Sequence, residues 1–285
     1  MTVCYLCGST ACRERPGSVR DNADLKVLEC EACGLVFLSS FRHIQPDHYE
    51  KSGMHGDQPL PVKSWLREAE ADDERRFRFL RQRLIAKSVL DFGCGAGGFL
   101  LKAREVAQIA QGIEPELRLQ EHFGQVGLKV WSGDDAVVSS GVRFDFITAF
   151  HVLEHISDPR AMLAKLALLL NEGGELVVEV PSSDDALLTL FECGPFTHFT
   201  YWSQHLFLFN QSTLSSLVRQ AGLRLRWMRQ VQRYPLSNHL FWLSQGKPGG
   251  HQKWAFLDSP ALNEAYGAQL AALGRCDTLL AGIGV

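Results

Sequence analysis

Apolar residues follow two different spacings between residues 88 and 232 of the chain. Short apolar runs such as residues 88–92 and 144–150 predict buried strands, and the stretches between such runs repeat apolar residues at helical spacing. Strands that alternate with helices indicate right-handed crossovers and a mostly parallel sheet with helices on both faces. We therefore predict an α/β fold with a doubly wound sheet of the seven-stranded type, whose ligand lies at the carboxyl ends of the strands.

Residues 63–86 predict one amphipathic helix, although Asp73 interrupts its apolar face. The other face carries five arginines interleaved with acidic residues, which we interpret as a solvated surface without chemistry. Further along, residues 234–251 predict a last strand with an edge loop, and residues 257–280 predict a single helix.

A change in composition divides the chain into three parts. Residues 1–38 hold two close cysteine pairs and predict a small module of their own. Residues 39–62 are polar and contain three prolines, which favours a linker or a loop that lies over the next domain. Residues 63–285 then form the predicted α/β domain.

Charge and length narrow the classes of partner. The chain has 285 residues and a formal net charge of −3, so no overall attraction for nucleic acid or an anionic membrane is expected, and a small-molecule partner is favoured. The first residues lack the apolar region of a secretory signal, and no run approaches the roughly 18–20 apolar residues of a membrane span. With eight cysteines and no export signal, we expect a cytoplasmic protein.

Two cysteine pairs predict a metal site near the start of the chain. Cys4-x2-Cys7 and Cys30-x2-Cys33 are separated by 22 residues, and a glycine follows each pair, as in the turns of a zinc ribbon. Four thiolates would close the coordination shell of a zinc ion, which makes the predicted zinc structural rather than catalytic. Free thiols or redox chemistry is the alternative.

The segment DFGCGAGG, residues 91–98, follows the first strand of the predicted sheet. Its glycines allow positive φ and let a ligand approach the backbone, but their spacing differs from the dinucleotide pattern G-x-G-x-x-G. Glu114 follows Gly95 by 19 residues at the next strand tip, where a carboxylate can accept hydrogen bonds from both hydroxyls of a ribose. Asp134 occupies the tip after that, and helix or turn capping is the alternative role of both acids.

Together with the segment FDFITAFHVLEHISDP, these residues resemble the S-adenosylmethionine-dependent methyltransferases of Rossmann-like fold, over about residues 85–232. The resemblance implies that Asp91 lies at the base of the turn, that Glu114 holds the ribose, and that Asp134 and Asp135 lie beside the adenine. It implies that the methionine part of the cofactor is lined by Gly93, Cys94, Gly95 and Gly97.

The segment HVLEHISDP follows the fourth strand and offers three groups that transfer protons or bind metals: His151, Glu154 and His155. His151 is a candidate catalytic residue, and Glu154 with His155 is a candidate metal pair. The alternative is that the segment is structural, with Asp158 as the N-cap of the next helix and Pro159 at its first position.

An aromatic and histidine-rich stretch, residues 192–210, follows the fifth strand and is expected to roof the acceptor site. Its candidates for acceptor contact and catalysis are His198, Tyr201 and His205, with Trp202 beside them. The alternative is that the aromatic rings pack in the core and the histidines bond loop carbonyls.

A zinc ribbon joined to such a domain resembles sugar C-methyltransferases. The resemblance implies methyl transfer to a sugar, a nucleotide-linked sugar or a polysaccharide end, at oxygen or carbon. One rival is an RNA base methyltransferase, which would need a basic ribbon, whereas residues 1–38 carry four basic and five acidic residues. The other rival is a non-catalytic scaffold that keeps the fold.

Overall fold

Helices and strands alternate along most of the chain in the computed structural model, which describes residues 2–45, 48–50, 56 and 58–285. Residues 46–47, 51–55 and 57 of the predicted linker lie outside the described residues. The strands are β1 Cys12–Glu14, β2 Val27–Cys30, β3 Val36–Leu38, β4 Ser88–Phe92, β5 Ile109–Ile113, β6 Lys129–Trp131, β7 Phe144–Phe150, β8 Leu170–Pro181, β9 Phe207–Leu208, β10 Arg224–Val231 and β11 Thr278–Gly284. The helices are α1 Val62–Leu84, α2 Gly98–Ala103, α3 Gln120–Val126, α4 Asp134–Ser140, α5 Pro159–Ala167, α6 Ala186–Thr189, α7 Gly194–Thr200, α8 Gln211–Gln220, α9 Leu236–Gln245, α10 Gly250–Lys253 and α11 Pro260–Leu273.

The main sheet has seven strands among the described residues, in the order β10-β11-β8-β7-β4-β5-β6. The five strands from β8 to β6 pair in parallel, and β10 and β11 are antiparallel. The chain leaves β4 in one direction toward β5 and later returns to its other side with β7, which opens a crevice at the carboxyl ends of these strands. The predicted α/β class with a mostly parallel sheet is confirmed.

Both faces of the sheet are covered by helices because its central strands are apolar on both sides. All five residues of β4 are buried. Leu90 belongs to the same core as Leu163 of α5, whereas its neighbour Val89 belongs to a core with Phe77 of α1. Successive strand residues point to opposite faces, so α1 and α5 lie on opposite sides of the sheet.

The prediction of one helix over residues 257–280 is wrong at its end. Helix α11 stops at Leu273, Gly274 adopts a φ of 69°, and β11 then inserts between β8 and β10. All seven residues of β11 are buried, so its apolar run lacks the alternation that distinguishes a strand from a helix. The strand predicted within residues 234–251 is also wrong, since α9 occupies that segment. No helix among those described is long and apolar enough to cross a membrane.

A second, antiparallel sheet carries the cysteine segment and has the order β1-β2-β3-β9. Its last strand, Phe207–Leu208, comes from the aromatic stretch far along the chain and pairs with Val36 and Phe37. The rings of Tyr5 and Phe207 lie 5.2 Å apart, and Asp21 accepts hydrogen bonds from the backbone and hydroxyl of Ser203. Residues 1–38 are thus joined to the rest of the chain by both strand pairing and side-chain contacts.

Candidate functional site

A cavity of about 480 Å³ lies at the carboxyl ends of β4, β5 and β7, and we call it the first cavity. Its walls include the glycine loop after β4, Glu114 after β5, residues 132–134 after β6 and His151 after β7. Pockets for small molecules and cofactors commonly have volumes of about 300–1,000 Å³. The cavity thus has the size and position at which such sheets bind a cofactor.

The glycine loop turns through left-handed backbone conformations. Gly93 and Gly95 have φ values of 71° and 52°, and both line the first cavity. Gly97 has a φ of 81° but faces the protein, since a Cβ there would lie 2.7 Å from Leu128 Cδ1. Cys94 also lines the cavity, and burial holds the pKa of its thiol well above the usual value, so the thiol is protonated and a poor nucleophile.

Glu114 is held at the cavity wall by the backbone. Its Oε2 accepts a hydrogen bond from the Gly95 N–H at 2.9 Å, and its Oε1 accepts one from the Glu116 N–H at 3.0 Å. Burial raises the pKa of this carboxyl, and the two backbone donors partly offset the rise. Each carboxylate oxygen can accept a further hydrogen bond, so the side chain can still receive two ligand hydroxyls.

The other acids of the predicted cofactor set lie in three different environments. Asp91 is buried in β4, where Thr148 donates a hydrogen bond to it at 2.6 Å, and burial raises its pKa to about 7. Asp134 lines the first cavity and pairs with Lys165 at 2.8 Å. Asp135 also pairs with Lys165, but its side chain is 91% exposed. The structure therefore brings Asp134, rather than its neighbour, to the cavity.

Helix α1 supplies cavity residues that the sequence analysis missed. Trp65, Asp73 and Arg76 line the first cavity, and Trp65 Cζ2 lies 3.2 Å from the position of a Cβ on Gly95. Arg76 Nη1 pairs with Asp73 Oδ1 at 3.3 Å. Burial raises the pKa of Asp73, and Arg76 opposes that rise. An acid on an otherwise apolar helix face was the signal that could have found this wall.

A buried carboxylate on β8 explains how α1 is fixed. Glu179 has a fully buried side chain and accepts hydrogen bonds from Arg75 Nη1 at 2.9 Å and from Arg76 Nη2 at 2.7 Å. Burial opposes ionisation, but His151 and the two arginines hold the pKa of Glu179 well below its usual range. The interpretation of this arginine face as solvated is therefore wrong for Arg75 and Arg76.

His151 lies on the cavity wall in a left-handed conformation, with a φ of 55° that is uncommon outside glycine. Its Nδ1 lies 3.2 Å from Glu154 Oε1, and its Nε2 lies 3.2 Å from Glu179 Oε1. Nε2 is shielded from solvent and forms no hydrogen bond within the described chain. Burial and Arg233 push the pKa of His151 down, but the two carboxylates outweigh them and raise it.

The other predicted catalytic residues are not among those that line the first cavity. His198 and Tyr201 line a second cavity of about 660 Å³ beside the cysteine sheet, and His198 Nδ1 bonds Ser18 Oγ at 2.9 Å. His205 packs against His155, with ring centroids 5.0 Å apart. Over the first cavity, the described part of the chain instead contributes Tyr49, whose hydroxyl donates to the His155 carbonyl at 3.0 Å.

The four cysteines of the predicted zinc site converge. The sulfur atoms of the four cysteines all lie within 4.8 Å of one another: Cys4, Cys7, Cys30 and Cys33. Each pair is followed by a left-handed glycine, Gly8 or Gly34, whose N–H donates to the carbonyl of the first cysteine of the pair. Four grouped sulfurs form a ligand set that suits tetrahedral zinc.

Comparisons with known proteins agree with this geometry. The profile of a family described as a methyltransferase domain matches residues 64–226, which is more than half of the chain. Ubiquinone biosynthesis O-methyltransferases from Xanthomonas euvesicatoria pv. vesicatoria and Xanthomonas oryzae pv. oryzae are 37% identical over 123 residues, which cover 40% of this chain and 51% of each relative. The chain spans about half the length of these curated relatives.

Two solved structures share the fold. A methyltransferase from Thermotoga maritima that depends on S-adenosylmethionine matches with a TM-score of 0.50 and 18% identity, over 79% of this chain and 95% of that one. Another from Archaeoglobus fulgidus matches with a TM-score of 0.50 and 16% identity, over 77% of this chain and 98% of that one. At these identities, the likeness concerns the fold.

The chain belongs to the methyltransferase-domain family. This membership agrees with the methyltransferase class that the glycine loop and the following segments predicted, for which S-adenosylmethionine is the expected cofactor. The residues present fit that cofactor, because a Cβ on Gly95 would fill part of the cradle and Glu114 keeps lone pairs for hydroxyls at the cavity wall.

Proposed function

We propose that this enzyme methylates a hydroxyl oxygen of a small-molecule acceptor that enters the first cavity. The observation that carries the proposal is that one cavity brings together a carboxylate suited to a ribose, Glu114, and a histidine held by a carboxylate, His151. The first group suits the cofactor, and the second suits removal of a proton from a hydroxyl. The curated relatives are ubiquinone biosynthesis O-methyltransferases, which supports oxygen as the methylated atom.

Charges on the α1 side suit the amino-acid end of S-adenosylmethionine. That end carries one ammonium and one carboxylate, and Asp73 and Arg76 offer one negative and one positive group on the cavity wall. Gly93 and Gly95 leave room for close approach to the backbone, Cys94 lies between them, and Glu114 receives the ribose hydroxyls. On the adenine side, Asp134 is the acid that lines the cavity.

When bound, S-adenosylmethionine supplies an electrophilic methyl group on a sulfonium. The protein then has to align the acceptor and remove its proton. His151 lines the cavity as the proposed base. Glu154 Oε1 lies 3.2 Å from its Nδ1 and Glu179 Oε1 lies 3.2 Å from its Nε2, so the two carboxylates stabilise the ring once it is protonated. Arg75 and Arg76 pair with Glu179 and keep this carboxylate ionised beside the ring.

Two acceptor classes are supported by different observations. Apolar walls around the catalytic end, which include Phe150, Val152, Ile156 and Met162, favour a hydroxyl on an apolar or aromatic molecule. The second cavity carries polar groups such as Arg13, Arg15 and His198, which suit the sugar or nucleotide-linked sugar predicted from the sequence. We place the aromatic hydroxyl first, because the first cavity contains the proposed base.

We further propose that the four-cysteine cluster binds a structural zinc ion and that residues 1–38 form a zinc-ribbon module. A closed shell of four thiolates leaves no position for substrate, so the ion would stabilise the small sheet. Residues 1–38 carry four basic and five acidic residues and so have no net positive charge, which argues against RNA as the acceptor. A cytoplasmic location stays a prediction.

A binding and transfer experiment tests the proposal. Calorimetry with S-adenosylmethionine should detect binding, and incubation with labelled cofactor should transfer methyl groups to catechol-type phenols but not to RNA. Transfer to nucleotide sugars alone would move the acceptor to the second class. Cofactor binding without transfer to either class would contradict the proposed acceptors. If the cofactor does not bind, the non-catalytic scaffold is the hypothesis that remains.

A further inference from the structure

Behind the wall of the first cavity, three side chains that commonly bind metals converge outside the cysteine cluster. One ligand atom from each of Glu154, His155 and His205 lies within 4.8 Å of the other two. Glu154 and His155 belong to the segment that follows β7, and His205 directly precedes the region of β9. We propose that these three residues bind a divalent transition-metal ion such as zinc.

Two polar atoms of the cluster lack partners among the described residues. Glu154 has no exposed surface, and its Oε2 forms no hydrogen bond with any described residue. The Nδ1 atom of His205 is likewise buried and unpaired among the described residues. A buried polar atom without a partner destabilises the fold, and more strongly when the group is charged, so two of them in one place require an explanation. A cation between them would satisfy both.

Each of the three side chains also offers an atom that can bind a metal. His155 Nδ1 donates a hydrogen bond to the Gln204 carbonyl at 2.8 Å, so in the neutral ring the lone pair lies on Nε2. The Nδ1 of His205, which has no partner in the described part of the chain, is a second available nitrogen. The Oε2 of Glu154, likewise unpaired among the described residues, is an available oxygen. Two neutral imidazoles and one carboxylate form a common ligand set for zinc and iron.

Neighbouring groups orient the three ligands. His151 Nδ1 bonds the other oxygen of Glu154, and the Gln204 carbonyl fixes the ring of His155. Trp202 packs against both histidine rings, with centroid distances of 6.0 Å to His155 and 5.4 Å to His205. Partners of this kind hold ligand rings in place at metal sites.

The ion would connect two parts of the fold. The segment after β7 forms a wall of the first cavity, and the stretch from 205 leads into β9, which pairs with β3 of the cysteine sheet. A metal held by both would fix the small sheet to the main domain. Of the three ligands, His155 also lines the first cavity, and the metal site does not depend on the identity of the acceptor.

Metal counting in the full chain tests the site without an activity assay. The wild type, His205→Gln, Cys30→Ser and the double variant are dialysed against zinc and then buffer, and bound zinc per chain is measured by mass spectrometry. His205→Gln should hold one zinc ion fewer than the wild type, and the double variant one fewer than Cys30→Ser. The control His251→Gln, a histidine that bonds Asn238 elsewhere in the fold, should match the wild type. Equal zinc in the wild type and His205→Gln would overturn the proposal, whatever the cysteines bind.

Cobalt spectroscopy distinguishes the two sites and guards against a misfolded variant. A cobalt ion on nitrogen and oxygen ligands shows visible absorption without the sulfur-to-metal charge-transfer bands of a thiolate site. Cys30→Ser loaded with cobalt should keep this absorption, and adding Glu154→Gln or His205→Gln should remove it while the far-ultraviolet circular dichroism stays unchanged. Absorption that survives both added substitutions would place the ion elsewhere and overturn the proposal.

Discussion

The two sides of the first cavity are held in different ways. On the strand side, Glu114 is fixed by the backbone N–H groups of Gly95 and Glu116. The glycines of the loop after β4 shape the rest of this wall. On the helix side, Asp73 and Arg76 are fixed by an ion-pair network that ends on the buried Glu179 of another strand. Local backbone geometry therefore builds one wall, and long-range charge pairing builds the other. Substitutions on the strand side should change ligand binding or catalysis with little effect on the fold, whereas those on the helix side should change stability first.

The largest expected effect concerns catalysis on the strand side. His151→Gln should lower kcat by about 10²–10⁴-fold, because the side chain can no longer accept the acceptor's proton. Steady-state kinetics with the most active of the tested acceptors measures kcat. His251→Gln serves as the control, since it changes a histidine outside the cavity. A kcat that falls less than tenfold would remove His151 from the role of base.

The next effect concerns the stability of the helix side. Glu179→Gln should lower the free energy of unfolding by about 3 kcal/mol, because Arg75 and Arg76 lose their buried counter-charge. Urea denaturation measures the change. Glu172→Gln is the matched control, since this glutamate lies on the same strand and is exposed. Equal loss in both variants would mean that the network does not hold α1.

Cofactor affinity and the free energy of unfolding, measured on the same variants, compare the two sides of the cavity directly. Glu114→Gln should weaken the binding of S-adenosylmethionine about 10–100-fold, because a charge-assisted hydrogen bond to the ribose is replaced by a neutral one. The free energy of unfolding should change less than it does in Glu179→Gln. Calorimetry and urea denaturation of the same samples provide both values. If Glu114→Gln loses stability but keeps its affinity, the carboxylate only braces the glycine loop.

The last comparison concerns the pH dependence of stability. Burial raises the pKa of Asp91 from 3.8 to about 7, so its contribution to stability is greatest at acid pH and is lost as the pH rises through about 7. The pKa of Glu179 is depressed, so its contribution is present at neutral pH and is lost as the pH falls. Asp91→Asn should therefore remove a decline of up to about 1.4 kcal/mol per pH unit between pH 4 and 7. Urea titrations across this range check the slope, and parallel curves for wild type and variant would contradict the assignment.

Much of the strand side could be predicted because its signals are short and local. The turn DFGCGAGG, the acid after the next strand and the two cysteine pairs each lie within a few residues of the feature they form. Where prediction grouped neighbours, the structure separated some of them: Gly97 packs against Leu128, and Asp135 points outward while Asp134 lines the cavity. Neighbours in sequence point in different directions, and only the local backbone decides which of them faces the cavity.

The helix side was missed although the sequence contained a signal. Glu179 lies within the apolar run ELVVEV, and a buried acid needs a cation. The arginine-rich face of α1 supplies that cation, but either chain segment alone is equally compatible with exposure to solvent. The pairing of the two was therefore not predictable from their separate patterns.

By itself, the sequence determined the alternation of strands and helices, the glycine loop at a strand end, and the grouping of four cysteines, because these depend on residue spacing and on local backbone freedom. The tertiary structure alone decided that α1 closes the cavity, that residues 278–284 form a strand inside the sheet, and that His205 meets Glu154 and His155. Each of these depends on contacts between segments far apart along the chain. Such contacts follow from the burial and charge of both partners together, which neither segment's own pattern records.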